Sequence, residues 1–381
     1  MRWLTAGESH GPGLTIVVDG VPAGLEIDGG AIDADLRRRQ LGYGRGGRQK
    51  IERDSVRITA GVRQGKSTGA PIALWIENRD HRNWEKVMSV TAVPEAPDAV
   101  TRLRPGHADL AGALKYGLLD VRDVIERASA RETAARVAAG ALAKMLLRAI
   151  GIDVLSETIR IGDVTSVPTF DRDAIEASEV RSSDAAASAT MIAAIAAARE
   201  AGDTLGGVSV VRATGVIPGL GTYAQWDRRL DGRIAQALAS IQSVKGVEFA
   251  DAFDASGDRG SAVHDPIERR GDGFGRPRNR AGGLEGGVTN GEDVVVRVAF
   301  KPISTLMKPL PSVDLRTGES APAHVERSDI CIIPAGGVVA EAMLALVLAD
   351  AVCEKFGEDS IGDIAAAISR YRERLKPIAD R

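Results

Sequence analysis

Apolar positions recur along this chain with two periods. Short runs rich in β-branched residues and bounded by glycine or polar residues stand at 14–20 (LTIVVDG), 55–61 (SVRITAG), 208–214 (VSVVRAT) and 293–300 (DVVVRVAF), and each predicts a strand. Ala-rich stretches lie between them and predict helices from Ala111 (AGALKYGLLDVRDVIE), Ser129 (SARETAARVAAGALAKMLLRAIG), Asp184 (DAAASATMIAAIAAAREAG) and Gly336 (GGVVAEAMLALVLADAVCEKFG). In the second of these, Val137, Leu142, Met145 and Leu146 follow helical spacing. The Gly336 helix is apolar nearly all round, so it belongs in a core. Strands and helices interleave, which predicts an α+β fold with a helical core between sheets.

One echo runs through the sequence. VVDGVPAGL from Val17 resembles ATGVIPGLG from Ala213, with Gly20, Val21, Gly24 and Leu25 matching Gly215, Val216, Gly219 and Leu220. Each copy ends a strand and precedes a polar helical pattern. This points to two similar halves, about 1–200 and 201–381, within a single domain. The stretch 256–287 is rich in glycine and charge with little to bury, and its 256–280 part reads as a long mobile loop.

Composition narrows the chemistry. The 381 residues carry 49 basic and 52 acidic side chains, a formal charge of -3, so no overall field advertises nucleic acid or a membrane. An anion site must then be a local cluster. Aromatic residues make up only 4% of the chain, too few for base-stacking platforms. Cys331 and Cys353 stand far apart without Cys/His grouping, which argues for a reducing compartment, the cytoplasm, and against zinc. The opening MRWLTAGESH lacks the apolar stretch of a signal peptide, and the apolar run from Val338 is interrupted by Glu341 and too short to span a bilayer.

Three clusters could hold an anion. SARE at 129–132 has the form of a capping box, and Arg127 and Arg131 crowd the same helix start, where the dipole already makes the potential positive. RRRQLGYGRGGRQ, 37–49, sets five arginines among glycines, a composition suited to bidentate grip on phosphate or carboxylate, or to RNA. AGVRQGKS, 60–67, fits a loose phosphate-binding loop after a strand, but Gly69 and Pro71 arrive where a helix should begin, which counts against a kinase or NTPase. Among five histidines, His10 and His107 lie beside glycine in loop-like sequence, where an imidazole can act as acid or base.

Several blocks together resemble chorismate synthases: GESHGPGLTIVVDGVPAG from Gly7, GKSTGAPIALWIEN, RPGHAD with KYG after it, RASARET, AGGLEGGVTNG, KPIST and RSDICIIPAGGVVAEAM. The resemblance covers most of the chain. It implies a lyase of the shikimate pathway of aromatic amino-acid biosynthesis, which converts 5-enolpyruvylshikimate 3-phosphate to chorismate by anti-1,4-elimination of phosphate with reduced FMN (FMNH2). By the same resemblance Arg39 and Arg45 belong to the substrate site, with Arg48 and Arg131 beside them. Arg127, Ala128, Ser129, Gln242, Ser243, Gly286, Lys301, Pro302, Ile303, Ser304, Thr305 and Arg327 line FMN. His10 would protonate or hydrogen-bond the departing phosphate with Ser9 orienting it, His107 would protonate or stabilise the reduced flavin, and Asp329 would take the ring proton. No segment is available for an NADPH-dependent flavin reductase, so the resemblance implies the monofunctional form, supplied by an external reductase. It further implies a β-α-β-α sandwich, assembled as a homotetramer. The chain departs from the family at Ile330, where Pro, Ser or Val is usual, and at Ala335, where many members carry arginine.

Overall fold

Two antiparallel sheets face each other across a layer of helices in the computed structural model, which describes residues 1–47, 52–95, 97–271, 273–326 and 328–376. The first sheet runs in the order Arg2–Ala6, Gly13–Asp19, Ile72–Glu77, Val56–Ala60. The second runs Val244–Phe249, Val294–Phe300, Gly207–Thr214, Asp153–Ile161, Val164–Thr165. Alternation sends one face of each sheet inward. Leu14, Ile16 and Val18 are buried opposite Ile76, Leu74 and Ile72, and the buried Val294, Val296 and Val298 align with Ala213, Val211 and Ser209.

The helices fill the space between. Thr133–Ala149 packs on the strand Gly13–Asp19, while Ile333–Phe356 packs on Asp153–Ile161 and Gly207–Thr214, and the two helices pack on each other. At their contact a Cβ on Gly140 would lie 2.3 Å from the Ala342 Cβ, so only glycine permits this approach. Ile333–Phe356 is long and apolar enough to cross a membrane, contrary to the short run expected, but it is buried between the sheets.

With the hairpins, the short helices and the helices inserted at 109–128 and 172–200 set aside, the element order runs strand, strand, helix (Gly29–Gln40), strand, strand, helix (Thr133–Ala149), then strand, strand, helix (Leu230–Ala239), strand, strand, helix (Ile333–Phe356). Leaving aside short hairpins, both sheets place their strands in the order first, second, fourth, third. Asp153–Ile161 pairs with Gly207–Thr214 in the second sheet. The echoed segments are the same turn in both places: Gly20, Gly24, Gly215 and Gly219 all have positive φ, of 77°, 82°, 71° and 86°, and Val21, Leu25, Val216 and Leu220 are buried.

Local features depart from the sequence reading for identifiable reasons. The helix expected from Ala111 is two, Asp109–Tyr116 and Arg122–Ala128, because Gly117 turns left-handed at φ 68°. The capping box is incomplete. Ser129 Oγ accepts from the Arg131 amide at 3.2 Å and opens a 3₁₀ turn before the α-helix at Thr133, while Glu132 is drawn instead to Arg136, Thr5 and Gln242. AGVRQGKS forms a hairpin, Val62–Arg63 against Lys66–Ser67, so no helix terminus stands where triphosphates would bind. The 256–287 stretch holds the short helix Gly260–Val263 and hairpins at Glu268–Arg270/Gly273–Gly275 and Leu284–Glu285/Val288–Thr289, tied by Arg280 to Asp251 and Asp258 and by Arg276 to Glu285.

Candidate active site

The helices Thr133–Ala149 and Ile333–Phe356 both begin beside one cavity of about 600 Å³. Residues just ahead of both helices line it: Ser129, Ala130 and Arg131 on one side, Ser328, Asp329 and Ile332 on the other. Two helix N-termini give such a space a positive bias before any side chain is counted.

The GESHG loop forms one wall between the first two strands. Gly7 turns there with φ 112°, and a Cβ would lie 2.3 Å from the Gly13 carbonyl oxygen. Asn78 ends the strand Ile72–Glu77 and clamps the loop, its Nδ2 donating to the carbonyls of Glu8, Ser9 and Gly11 at 3.0, 3.3 and 2.8 Å. His81 Nδ1 donates to the His10 carbonyl at 2.8 Å. The loop backbone is therefore fixed, and His10 reaches the cavity from it.

The His10 ring is held on two sides. Nδ1 lies 2.9 Å from Glu126 Oε1, the His10 amide donates to Oε2 at 2.7 Å, and the ring stacks on Trp84 with centroids 3.9 Å apart and planes at 23°. Burial alone would raise the Glu126 carboxyl, but hydrogen bonds and charge from His10, with Arg122 behind, outweigh it and hold it below the usual carboxylate range. Ser129 Oγ donates to Ser9 Oγ at 3.1 Å.

His107 has a different setting. Its Nδ1 lies 2.5 Å from Asp109 Oδ1 and 3.0 Å from an Arg104 nitrogen, while Arg104 also pairs with Asp109 at 2.9 Å and donates to Thr305 Oγ1 at 3.2 Å. Burial pushes Asp109 up, yet hydrogen bonds from His107 and Arg104 keep it well below its ordinary value. Asp329 is fixed by Arg45 at 2.8 Å and by the Gly46 amide at 2.6 Å.

The cations in the wall divide into two kinds. Arg131 is committed to the scaffold: it pairs with Asp54 at 2.6 Å and donates to Asn78 Oδ1 at 2.8 Å, bracing the residue that clamps the GESHG loop. Arg39 bonds Thr133 Oγ1 at 2.8 Å and the Ala130 carbonyl at 3.0 Å. Burial lowers its guanidinium below the ordinary value, Arg131 and Arg45 adding to the effect against the pull of Asp54. Lys301 is lowered as well, by burial and then by Lys245. An anionic ligand would reverse both shifts. Arg45 Nε and Gln242 Oε1, both buried here, have no hydrogen-bond partner among the described residues. They offer a donor and an acceptor to a polar ligand.

The structure brings most of the expected residues into one place: Ser9, His10, Arg39, Arg45, His107, Ala128, Ser129, Arg131, Gln242, Ser243, Lys301, Ile303, Ser304, Thr305 and Asp329 line the cavity. Pro302 stands within the lining segment without lining it itself. Arg127 is elsewhere, exposed and donating to the Thr5 and Gly7 carbonyls at 3.1 and 3.0 Å. Gly286 turns the hairpin Leu284–Glu285/Val288–Thr289, also outside the cavity. Arg48 and Arg327 lie outside the described residues. The arginine run from Arg37 is not a solvated basic face, since Arg38 pairs with buried Glu341 at 2.8 Å and Arg39 faces the cavity. Sequence reasoning missed Asn78, Trp84, Arg104, Asp109 and the grip of Glu126 on His10. Asp109 had a local signal, standing two residues after His107 in RPGHAD.

The whole chain has close counterparts. A family model described as chorismate synthase matches residues 1–353. The chorismate synthase of Rubrobacter xylanophilus is 54% identical over 374 residues, 97% of this chain and 96% of its own. That of Symbiobacterium thermophilum is 55% identical over 394 residues and covers both chains completely. A crystal structure of a chorismate synthase matches with a TM-score of 0.79 at 40% identity, covering 98% of each chain.

Proposed function

The chain belongs to the chorismate synthase family, a family of carbon–oxygen lyases, and we propose that the cavity at the two helix starts is where it releases phosphate from 5-enolpyruvylshikimate 3-phosphate with reduced FMN. One observation carries this reading. His10, His107 and Asp329 come from three separate loops, each is anchored by a different buried or charged partner, and all three line a single cation-rich cavity.

The substrate is anionic, and the potential of two helix starts with Arg39, Arg45 and Lys301 suits it. His10 serves as the acid at the departing phosphate. Its Nδ1 is committed to Glu126, so proton delivery runs through Nε2. Ser9, bonded to Ser129, orients the same region. Asp329, bonded to Arg45 and the Gly46 amide, accepts the ring proton. His107, held by Asp109 and Arg104, would address the cofactor.

The residues present fit a flavin mononucleotide, because the buried Gln242 Oε1 and Arg45 Nε, without a partner among the described residues, supply an acceptor and a donor beside the cations and helix starts. Ser129, Gln242, Ser243, Lys301 and Ser304 with Thr305 would hold it. When bound and reduced it supplies transient electron donation that eases loss of phosphate. The proposal includes the monofunctional form, fed by an external flavin reductase, and a cytoplasmic homotetramer.

The test is phosphate release from 5-enolpyruvylshikimate 3-phosphate under anaerobic conditions with chemically reduced FMN, oxidised FMN, or oxidised FMN plus NADPH. Chorismate should form only with flavin already reduced. Turnover with NADPH would refute the monofunctional form, and no release in any arm would refute the site.

A further inference from the structure

Five consecutive carbonyls of the GESHG loop, from Glu8 to Pro12, are all taken by one short stretch of chain. The register of Ile72–Glu77 against Gly13–Asp19 sets Glu77 opposite Gly13, so the next residue, Asn78, stands beside the loop. Its amide nitrogen donates to the Pro12 carbonyl at 3.1 Å, its side-chain Nδ2 to those of Glu8, Ser9 and Gly11, and His81 Nδ1 to that of His10 at 2.8 Å. The surroundings fix which way the Asn78 amide faces. Oδ1 accepts from Arg131 Nε at 2.8 Å, and a flipped amide would set its oxygen against three carbonyls and its nitrogen against a guanidinium. Asn78 is 2% exposed, and neither it nor His81 lines the cavity, whereas Ser9 and His10 do. The loop therefore sends its carbonyl oxygens behind the wall and its hydroxyl and imidazole into the cavity. Oriented backbone groups are fixed partial charges, and a carbonyl oxygen turned into an anion site would repel its ligand.

We propose that Asn78 is a positioning residue for the reaction: without touching a ligand, it holds the GESHG loop so that the carbonyl oxygens face away from the anion site and the Ser9 and His10 side chains face into it. The inference rests on the site reading given above and adds to it a group that lies outside the cavity. Two N–H bonds of one side chain serve three carbonyls, and Arg131, itself paired with Asp54, keeps them aimed. A carbonyl released from Nδ2 would be buried without a donor, and the loop would recover one only by shifting. That shift moves Ser9 and His10 with it, and a displacement of about 1 Å at reacting groups is enough to cost about 10²-fold in rate.

The test compares Asn78→Asp, Asn78→Ala, His10→Ala and the Asn78→Asp/His10→Ala pair in the whole enzyme with saturating reduced FMN. It reads kcat and KM for 5-enolpyruvylshikimate 3-phosphate, the FMN dissociation constant from flavin fluorescence, and the denaturation midpoint. Asp keeps the shape of Asn78 and the acceptor for Arg131 but turns the donor into an acceptor, and Ala serves where Asp does not fold. In both variants kcat/KM per FMN-binding molecule should fall by about 10- to 100-fold, while the FMN dissociation constant moves only a few-fold, because Gln242, Ser243 and Lys301 stand on other segments. In the His10→Ala background, Asn78→Asp should lower kcat no more than a few-fold, since that part of its effect passes through the missing ring, yet should still raise KM, since the carbonyls are released all the same. Wild-type kcat/KM in Asn78→Asp beside an impaired His10→Ala would overturn the role of Asn78 and leave the site reading standing. Wild-type turnover in His10→Ala would overturn the site reading and the proposal with it. Loss of FMN binding in both Asn78 variants, an equal loss of kcat with and without His10, or a lower midpoint with unchanged turnover per FMN-binding molecule would mark Asn78 as a structural group and overturn the proposal.

Discussion

Two buried clusters of arginines and carboxylates are strung along the helix Ile333–Phe356, one at its middle and one at its start, and they serve opposite ends. At the middle, Glu341 accepts from both Arg38 terminal nitrogens at 2.8 and 2.9 Å, from Lys144 at 2.5 Å, and from the Ser156 amide and hydroxyl at 2.8 and 2.7 Å. Burial raises this carboxyl, but Arg38 and Lys144 draw it well below its ordinary value. Nothing remains on it for a ligand. At the helix start the charged and titratable groups are anchored within the protein and also line the cavity: Asp329 by Arg45 and Gly46, His10 by Glu126, His107 by Asp109. Charge in a protein interior is thus a strut where it is enclosed by its partners in the core, and a site where the anchored groups also face a cavity that a ligand can enter.

That contrast is sharpest in what breaks when a partner is removed. Glu341→Ala takes away the carboxylate shared by Arg38, Lys144 and Arg181, leaving them only Asp35 and Glu176 as acidic partners among the described residues, and removing one side of a buried pair costs about 3–5 kcal/mol. Chemical denaturation should show that loss, while the folded fraction keeps its turnover per active molecule. If Glu341→Ala lost turnover but no stability, the division into strut and site would fail.

His10→Ala should do the reverse. Turnover should fall by about 10²- to 10³-fold, as expected for loss of a general acid, while FMN binding and the denaturation midpoint stay close to wild type. Flavin fluorescence titration and steady-state kinetics on one preparation decide it. Normal turnover would remove His10 from the chemistry.

Much of the frame was legible because it is local. Four strands could be read from β-branched runs, and the core helix from its unbroken apolar surface, since burial on both faces leaves no polar stripe. The echoed segments at Val17 and Ala213 share left-handed glycines, but the pairing of Asp153–Ile161 with Gly207–Thr214 could not be read from them, because strand pairing is not a local property. The cavity was half legible. His10 and Asp329 stand in distinctive motifs, but Glu126 lies 116 residues from His10, and Asn78 lies 67 residues beyond the Gly11 carbonyl it holds. Arg38 and Arg39 are adjacent in a uniform run, yet one braces the core and the other faces the cavity. Only the helical turn between them decides which, and charge patterning carries no such information.

The smallest effect should come from a group that stands between the two types. Glu326 lines the cavity yet is paired within the protein, with Arg122 at 2.7 Å and His324 at 3.2 Å. Burial raises its carboxyl, but hydrogen bonds from His324 and Arg122 outweigh that and bring it down to about 2, from an ordinary 4.5. A carboxyl depressed in the folded state contributes stability above its unfolded value, and that contribution is lost as pH falls through the folded one. Glu326→Gln should therefore be less stable than wild type at neutral pH, by about 1 kcal/mol since the group is partly reached by solvent. The gap should narrow as pH drops below about 4.5 and close near 2. Denaturant midpoints across that range measure it. A gap that stays constant would mean that Glu326 contributes by shape rather than by charge, and would place it with the cavity lining instead of the struts.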